Sequence, residues 1–243
     1  MQDLGGFVKL RYLGHSAFEM TGKNGIKVLA DPFISQNPSC PLSIKDLDPD
    51  IICITHAHMD HLGDAVELAR RSNSYVITNY EISKFLKRNG INAIGLNYGA
   101  SINFEGLEIR MLNALHSSSF DFDENLPYGG NPGSFLIDYK DDAKIFHAGD
   151  TGLFSDMRFV VGDIYKPDIA LLPIGDIFTM GIDEAAIAAK WINPKIVVPM
   201  HYNSFPAIKQ NPKEFRMLVE KESGDVKVEI LKPLDALNFT RNR

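Results

Sequence analysis

The stretch IICITHAHMDH, residues 51–61, places three histidines and an aspartate within its last six positions, at the end of an apolar run. The whole chain holds only 7 His in 243 residues, so this density asks for a cause. The apolar part, DIICIT over 50–55, reads as a fully buried strand. A strand that runs into a loop carries side chains on a stiff support, so His56, His58, Asp60 and His61 can converge at one sheet edge. His56 and His58 stand two apart and can point the same way, while Asp60 and His61 turn toward a neighbouring point. Such an arrangement suits two adjacent cations better than one. Neutral imidazole and carboxylate are ligands that borderline metals such as zinc accept, and no thiolate is needed.

Further ligand-type residues share this address. His116 follows LEIRMLNAL, Asp150 follows KIFHAG and His201 follows KIVVPM. Three more apolar strands therefore end near a group that can hold a metal. His15, in LGHS, also lies at a strand end, and His147 precedes AGDT.

Around these points the pattern alternates between hairpins, buried strands and helices. Strands are expected at 7–13, 17–20 and 26–30, with TGKNG as a hairpin turn. GDAVELARR has helical spacing, SYVIT reads as a strand, and NYEISKFLKRNG as a helix closed by Gly90. SINFEGLEIRMLNAL and GSFLIDYKDDAKIFHA read as hairpins and DIALLPI as a buried strand. DEAAIAAKWI and NPKEFRMLVEKE read as helices. The two halves repeat one theme, which predicts an α/β (α+β) fold in which two sheets pack together with helices outside. One domain over 1–243 is expected.

Composition narrows the function. Hydrophobic content of 44% and charged content of 23% fit an ordinary globular protein, and the net charge of −6 argues against nucleic acid as a partner. The start, MQDLGGFVKLRYLGHS, lacks the charged and apolar regions of a signal peptide, and no apolar run reaches the roughly 18 residues of a membrane span. Cys40 and Cys53 are expected to be reduced thiols, which places the chain in the cytoplasm. The sequence leaves room for a homo-oligomer.

The string His56-x-His58-x-Asp60-His61, followed in order by His116, Asp150 and His201, resembles the metallo-β-lactamase superfamily. YLGHSAFE, LADPF, HSSS, HAGDTG, PIGDIFTMG and VVPMHYNSFPAI are similar to its cytoplasmic branch of metal-dependent hydrolases, which includes the ascorbate-6-phosphate lactonases. The resemblance implies a four-layer αβ/βα sandwich with metals at one edge of the sheets. It implies that His56, His58 and His116 hold a first metal, that Asp60, His61 and His201 hold a second, and that Asp150 bridges. Asp31, in LADPF, would orient one ligand from behind, with His147 a further candidate for that work. Asp60 and His15 would be the catalytic groups beside the metals. Ser117, Ser118, Phe178, Met180 and Tyr202 are the candidate substrate contacts.

The implied cofactors are two divalent ions, zinc first, with Mn, Fe, Co or Ni also accepted by these donors. Two such ions lower the pKa of a bound water from about 15.7 toward 7. The expected reaction is hydrolysis of an ester, lactone or phosphoester in a small metabolite, with phosphate-bearing molecules first by analogy to the branch. A metallo-ribonuclease would want a basic groove or an appended RNA-clamping arm. A di-iron reductase would carry Glu where His58 stands. A Ser-His-Asp triad from Ser16, His15 and Asp31 would need two separate strand ends to coincide. A metal-binding protein without turnover is the remaining alternative.

Overall fold

The computed structural model describes residues 7–140 and 142–241. Two seven-stranded sheets make up its centre. The first contains β1 (Phe7–Gly14), β2 (Ala17–Gly22), β3 (Lys27–Ala30), β4 (Ile51–Cys53), β5 (Tyr75–Asn79) and β6 (Ala93–Leu96) in that order. The second contains β7 (Ser101–Phe104), β8 (Leu107–Asn113), β9 (Gly133–Asp138), β10 (Lys144–His147), β11 (Ile169–Pro173), β12 (Ile196–Met200) and β13 (Lys227–Val228). The last strand, β14 (Ala236–Thr240), returns to the first sheet and pairs antiparallel with β1, Val8 opposite Phe239.

Each sheet is half antiparallel and half parallel. β1, β2 and β3 form a meander, after which β3, β4, β5 and β6 run parallel. In the second sheet β7, β8, β9 and β10 alternate, and β10, β11, β12 and β13 run parallel. It follows that β1, β3 and β4 share one direction, as do β8, β10 and β12. The C-terminal ends of all six carry the residues singled out in the sequence.

Side-chain alternation fixes the layers. Val28, Ala30, Ile51 and Cys53 join Ile109, Phe135, Ile145 and Leu171 in the core between the sheets. Leu29, Ile52 and Ile54 face the other way, onto Leu68 and Ala69 of α2 (Ala65–Ser72) and Ile82 and Leu86 of α3 (Tyr80–Arg88). Burial on both faces explains why DIICIT is an unbroken apolar run. On the far side α4 (Ile182–Ile192) and α5 (Pro212–Glu222) bury Ala185, Ala188, Ala189, Phe215 and Val219. The result is the expected four-layer αβ/βα sandwich.

The helices begin where capping chemistry allows. The Asn79 side chain accepts the Ile82 N–H at 2.8 Å to open α3, and Asn211 does the same for Lys213 ahead of Pro212 in α5. β6, β13, β14 and a π-helical segment, Met157–Tyr165, are additions to the sequence expectation. Both cysteines are free thiols, and burial pushes the Cys53 thiol far above its ordinary range. Among the described residues no helix is long and apolar enough to cross a membrane.

Candidate metal centre

The opening stretch changes conformation just where its chemistry begins. β4 ends at Cys53, and the chain then bends at Ala57 and His58, the latter being the N-cap of the short helix α1 (Met59–Leu62). Across this bend the two rings meet, with His56 Nε2 2.9 Å from His58 Nδ1. The helical turn then swings Asp60 and His61 round to a second point. The spacing H-x-H-x-D-H is thus a loop pair followed by a helical pair.

The other residues arrive from neighbouring strand ends. His15 directly follows β1, Asp31 directly follows β3, and His201 directly follows β12, all three with left-handed backbone at φ 57°, 44° and 54°. Such backbone is uncommon outside glycine and is concentrated at functional sites, where surrounding structure holds it. A backbone hydrogen bond from His201 N–H to the His15 carbonyl ties the two sheets together here. Gly149, at φ +62°, lets the chain turn into Asp150: a Cβ there would lie 2.8 Å from the Gly133 carbonyl oxygen and 2.9 Å from Thr55 Cβ.

The donor atoms fall into two groups around one carboxylate. His56, His58 and His116 bring one ligand atom each within 4.8 Å of one another, and Asp60, His61 and His201 do the same together with His15. Asp150 stands between the groups. Its Oδ1 is 3.2 Å from His61 Nε2, and its Oδ2 is 2.9 Å from His201 Nε2 and 3.6 Å from His116 Nε2.

These approaches are close but poorly aligned. His61 Nε2, Asp150 Oδ1 and both ring nitrogens of His201 are buried without a hydrogen bond among the described residues. Leaving a buried polar atom unsatisfied costs about 1–3 kcal/mol. Orphaned imidazole nitrogens and a carboxylate oxygen, clustered among the strand ends, are a donor set that fits divalent cations.

The hydrogen bonds behind the donors fix their tautomers. Thr55 Oγ1 donates to Asp31 Oδ2 at 2.8 Å and stands 3.0 Å from His56 Nδ1, so it accepts that N–H and leaves His56 Nε2 as a lone pair. Asp31 also accepts the Thr55 N–H at 2.8 Å and faces His61 Nδ1 at 2.8 Å. Asp31 is fully buried, and through these bonds it orients two ligands at once.

Electrostatics prepares most of the set for a cation. Burial holds the imidazoles of His56, His58 and His116 below their ordinary value, so they stay neutral. Burial would raise the Asp60 carboxyl, but His61 and a hydrogen bond from His15 outweigh it and keep Asp60 anionic. For Asp150, His201 and His61 likewise overcome the burial penalty. His61 is the exception. Burial pushes it down, yet Asp150, Asp31 and Asp60 together hold it well above its ordinary value.

A cavity of about 330 Å³ opens over the donors, lined by His58, Asp60, His116, Ser117, Asp121, Asp150, Phe178 and His201. Several expected substrate contacts lie elsewhere. Met180 is fully buried in the core, because its N–H and carbonyl pin the 173–181 loop to Thr151 and Asp176. Ser118 is buried and accepts the Ala57 N–H through Oγ at 3.2 Å. Tyr202 packs against the main core and does not line the cavity. Ser117 and Phe178 do.

His15 is fully buried beneath Asp60 and is not on the cavity wall. Its Nε2 is 3.1 Å from Asp60 Oδ2 and its Nδ1 3.0 Å from Ser204 Oγ, so it holds the carboxylate from below. His147 bonds the Ser16 carbonyl and the Gly149 N–H, bracing backbone, and makes no hydrogen bond to a ligand side chain among the described residues. The triad of Ser16, His15 and Asp31 does not form: His15 pairs with Ser204 and Asp60, and Ser16 Oγ has no partner among the described residues.

Three residues of the site were not read from the sequence. Thr55 stands next to His56, where a hydroxyl within reach of a ring nitrogen was a usable signal. Asp121, five positions after His116, and Ser204, three after His201, had none beyond proximity.

Two sheets whose strand ends present two histidine groups around a shared carboxylate define a metallo-hydrolase of the β-lactamase type. Comparison with known proteins agrees. The model of the β-lactamase superfamily domain matches residues 9–201. A UPF0173 metal-dependent hydrolase of Methanobrevibacter smithii is 51% identical over 226 residues, 93% of this chain and 95% of the relative. Its counterpart in Methanosphaera stadtmanae is 51% identical over 216 residues, covering 88% and 92%. Among solved structures, Igni18, a metallo hydrolase from Ignicoccus hospitalis, superimposes with a TM-score of 0.87 at 40% identity, covering 97% of this chain and 100% of that one. The chain belongs to the metallo-β-lactamase superfamily and is a metal-dependent hydrolase.

Proposed function

We propose that this chain hydrolyses an ester, lactone or phosphoester bond in a small metabolite, using two divalent metal ions held by His56, His58 and His116 and by Asp60, His61 and His201. The observation that carries this reading is the position of Asp150 between the two groups: its oxygens approach His61 and His201 on one side, and Oδ2 also reaches toward His116 on the other. When bound, such a pair of ions supplies a water acidified to neutral pH and a Lewis acid for the oxygen of the scissile group.

The remaining work falls to the chain itself. Asp60 stays anionic at the cavity wall and can take the proton of the attacking water. His15, from beneath, keeps Asp60 Oδ2 turned to its place. Asp31 and Thr55 hold the tautomers that direct His56 and His61 inward, a task that outer partners of metal-ligating histidines usually perform. Zinc is the first choice of ion, with Mn, Fe, Co or Ni alternatives that the same donors accept.

A cavity of about 330 Å³, part of which the ions themselves would fill, suits a small molecule. The net charge of −6 argues against a polynucleotide. Action in the cytoplasm on a freely diffusing substrate, with no membrane or nucleic-acid partner, completes the proposal. A homo-oligomer is compatible with it. The test is a turnover screen of metal-loaded protein against lactones, carboxylic esters, phosphoesters and RNA, with His116→Ala as control. Turnover of a small ester that His116→Ala abolishes supports the reading; RNA as the best substrate, with cleavage falling steeply as salt rises, overturns it.

A further inference from the structure

The wall of the metal cavity carries one charged side chain that belongs to neither histidine group nor to their shared carboxylates. That side chain is Asp121. It is held rather than loose. Its Oδ1 accepts the Met59 N–H at 2.8 Å, at the start of the helix that presents Asp60 and His61, and its Oδ2 has no partner among the described residues.

The residues on either side anchor it further. Phe120 and Phe122 pack at a tilt against Phe85 of α3 with ring centroids 4.7 and 6.0 Å away, and edge-on against each other at 5.7 Å. Phe120 is buried, so the loop after His116 is nailed to the first layer of helices. Between two aromatic anchors and one backbone bond, the Asp121 carboxylate is fixed at the cavity.

The rest of the wall offers nothing to offset that charge. Apart from the donors it consists of Ser117 and Phe178, the latter half-exposed and apolar, with no lysine or arginine. The bound ions can neutralise a reacting group, but a recognition group remote from the scissile bond must be met by the wall. A phosphate placed there would carry about two negative charges and would lie beside an unneutralised carboxylate. Phosphate recognition normally rests on a bidentate Arg, a Lys or a helix N-terminus.

We infer that Asp121 is a specificity-determining residue that selects uncharged or cationic substrates and rejects those whose recognition group is a phosphate. Resting on the hydrolase reading, this narrows it to a neutral ester, lactone or triester with an apolar portion against Phe178. It departs from the phosphate-bearing substrate that family analogy implies.

The experiment compares three aryl esters that share one scissile bond and differ only in a remote substituent: neutral, trimethylammonium-bearing or phosphate-bearing. In metal-loaded wild-type protein at low salt, kcat/KM for the neutral and cationic esters should exceed that of the phosphate ester by about tenfold or more. Asp121→Asn keeps the oxygen that accepts the Met59 N–H and removes the charge, so the ratio should narrow to a few-fold. Added salt should narrow it in the wild type as well, which decides the matter if the variant does not fold. A phosphate ester that is the best substrate, or a ratio indifferent to both Asp121→Asn and salt, overturns the inference. If none of the three esters turns over, the proposed ester-cleaving reading fails first, and the inference with it.

Discussion

Asp31 Oδ2 lies 2.8 Å from His61 Nδ1 and accepts the Thr55 hydroxyl at the same distance, so one buried carboxylate steers a histidine of each group. Because Thr55 passes the effect on to His56, the two donor groups are coupled through residues that touch no metal. Asp31→Asn is therefore expected to preserve the fold while lowering metal affinity about 10–100-fold, the usual range for such partners. Competition with a chromophoric chelator measures this. Unchanged affinity in both groups would reduce Asp31 to a turn residue.

His61 gives the site a pH dependence of definite sign. In the metal-free protein three carboxylates hold it well above its ordinary value, so it carries a proton at neutral pH. That raised value stabilises the metal-free fold below the unfolded pKa, and the benefit disappears as pH rises through the folded pKa. A metal must displace the proton, so binding at pH 7 should release protons and affinity should rise with pH. Calorimetry in buffers of different ionisation enthalpy reads the release directly. Wild-type protein releasing no more than His61→Ala would contradict the assignment.

His15 acts in the opposite direction. Burial, aided by the neighbouring His201, pushes it down to about 4, below the 6.5 of an unfolded histidine. Between those values the unfolded chain takes up the proton more readily, so metal-free protein loses stability as pH falls from 6.5 to 4. Each unit of difference is worth roughly 1.4 kcal/mol. His15→Asn, whose side chain tolerates the left-handed backbone, should soften this acid sensitivity. In the loaded enzyme it should lower kcat more than it raises KM, because Asp60 loses its brace. Denaturant midpoints across pH and steady-state kinetics check the two halves. A change confined to KM would place His15 in contact with substrate after all.

Gly175 is a packing requirement of the second donor group. A Cβ there would stand 2.3 Å from the His201 carbonyl oxygen, which is backbone and cannot swing aside. Gly175→Ala should cost about 1–3 kcal/mol of stability. It should also lower occupancy at His201 before that at His56, His58 and His116. Thermal denaturation together with metal analysis tests this, and full occupancy with an unaltered Tm would refute it.

How far the sequence reached depended on how local each cause was. The ligand cluster at 56–61, the buried run 50–55 and the ends of β8, β10 and β12 were legible because each is a short pattern with one physical reading. β14 was not, since its pairing with β1 spans almost the whole chain and ALNFT alternates only weakly. β6 hid in AIGL, where Gly95 sits against Ser83 and Tyr80 and the missing Cβ lets α3 pack close. At the site, position suggested that Met180, Ser118 and Tyr202 line the pocket, because Ser118 and Tyr202 follow ligands along the chain and Met180 lies in a loop placed to overhang the metals. Met180 and Ser118 are instead buried by loop hydrogen bonds that no spacing rule describes, and Tyr202 is half-buried against the main core. Asp121 escaped notice for the same reason: its role comes from where Phe120 and Phe122 anchor the loop.

The central claim, that two donor groups share Asp150, is tested most directly by counting metal. Protein stripped of metal, reloaded with excess zinc and freed of unbound ion should contain two equivalents per chain by elemental analysis. His116→Ala and His201→Ala should each retain about one, lost from opposite sides of Asp150. A wild-type value fixed at one equivalent, unaltered in one of the two variants, would contradict the account.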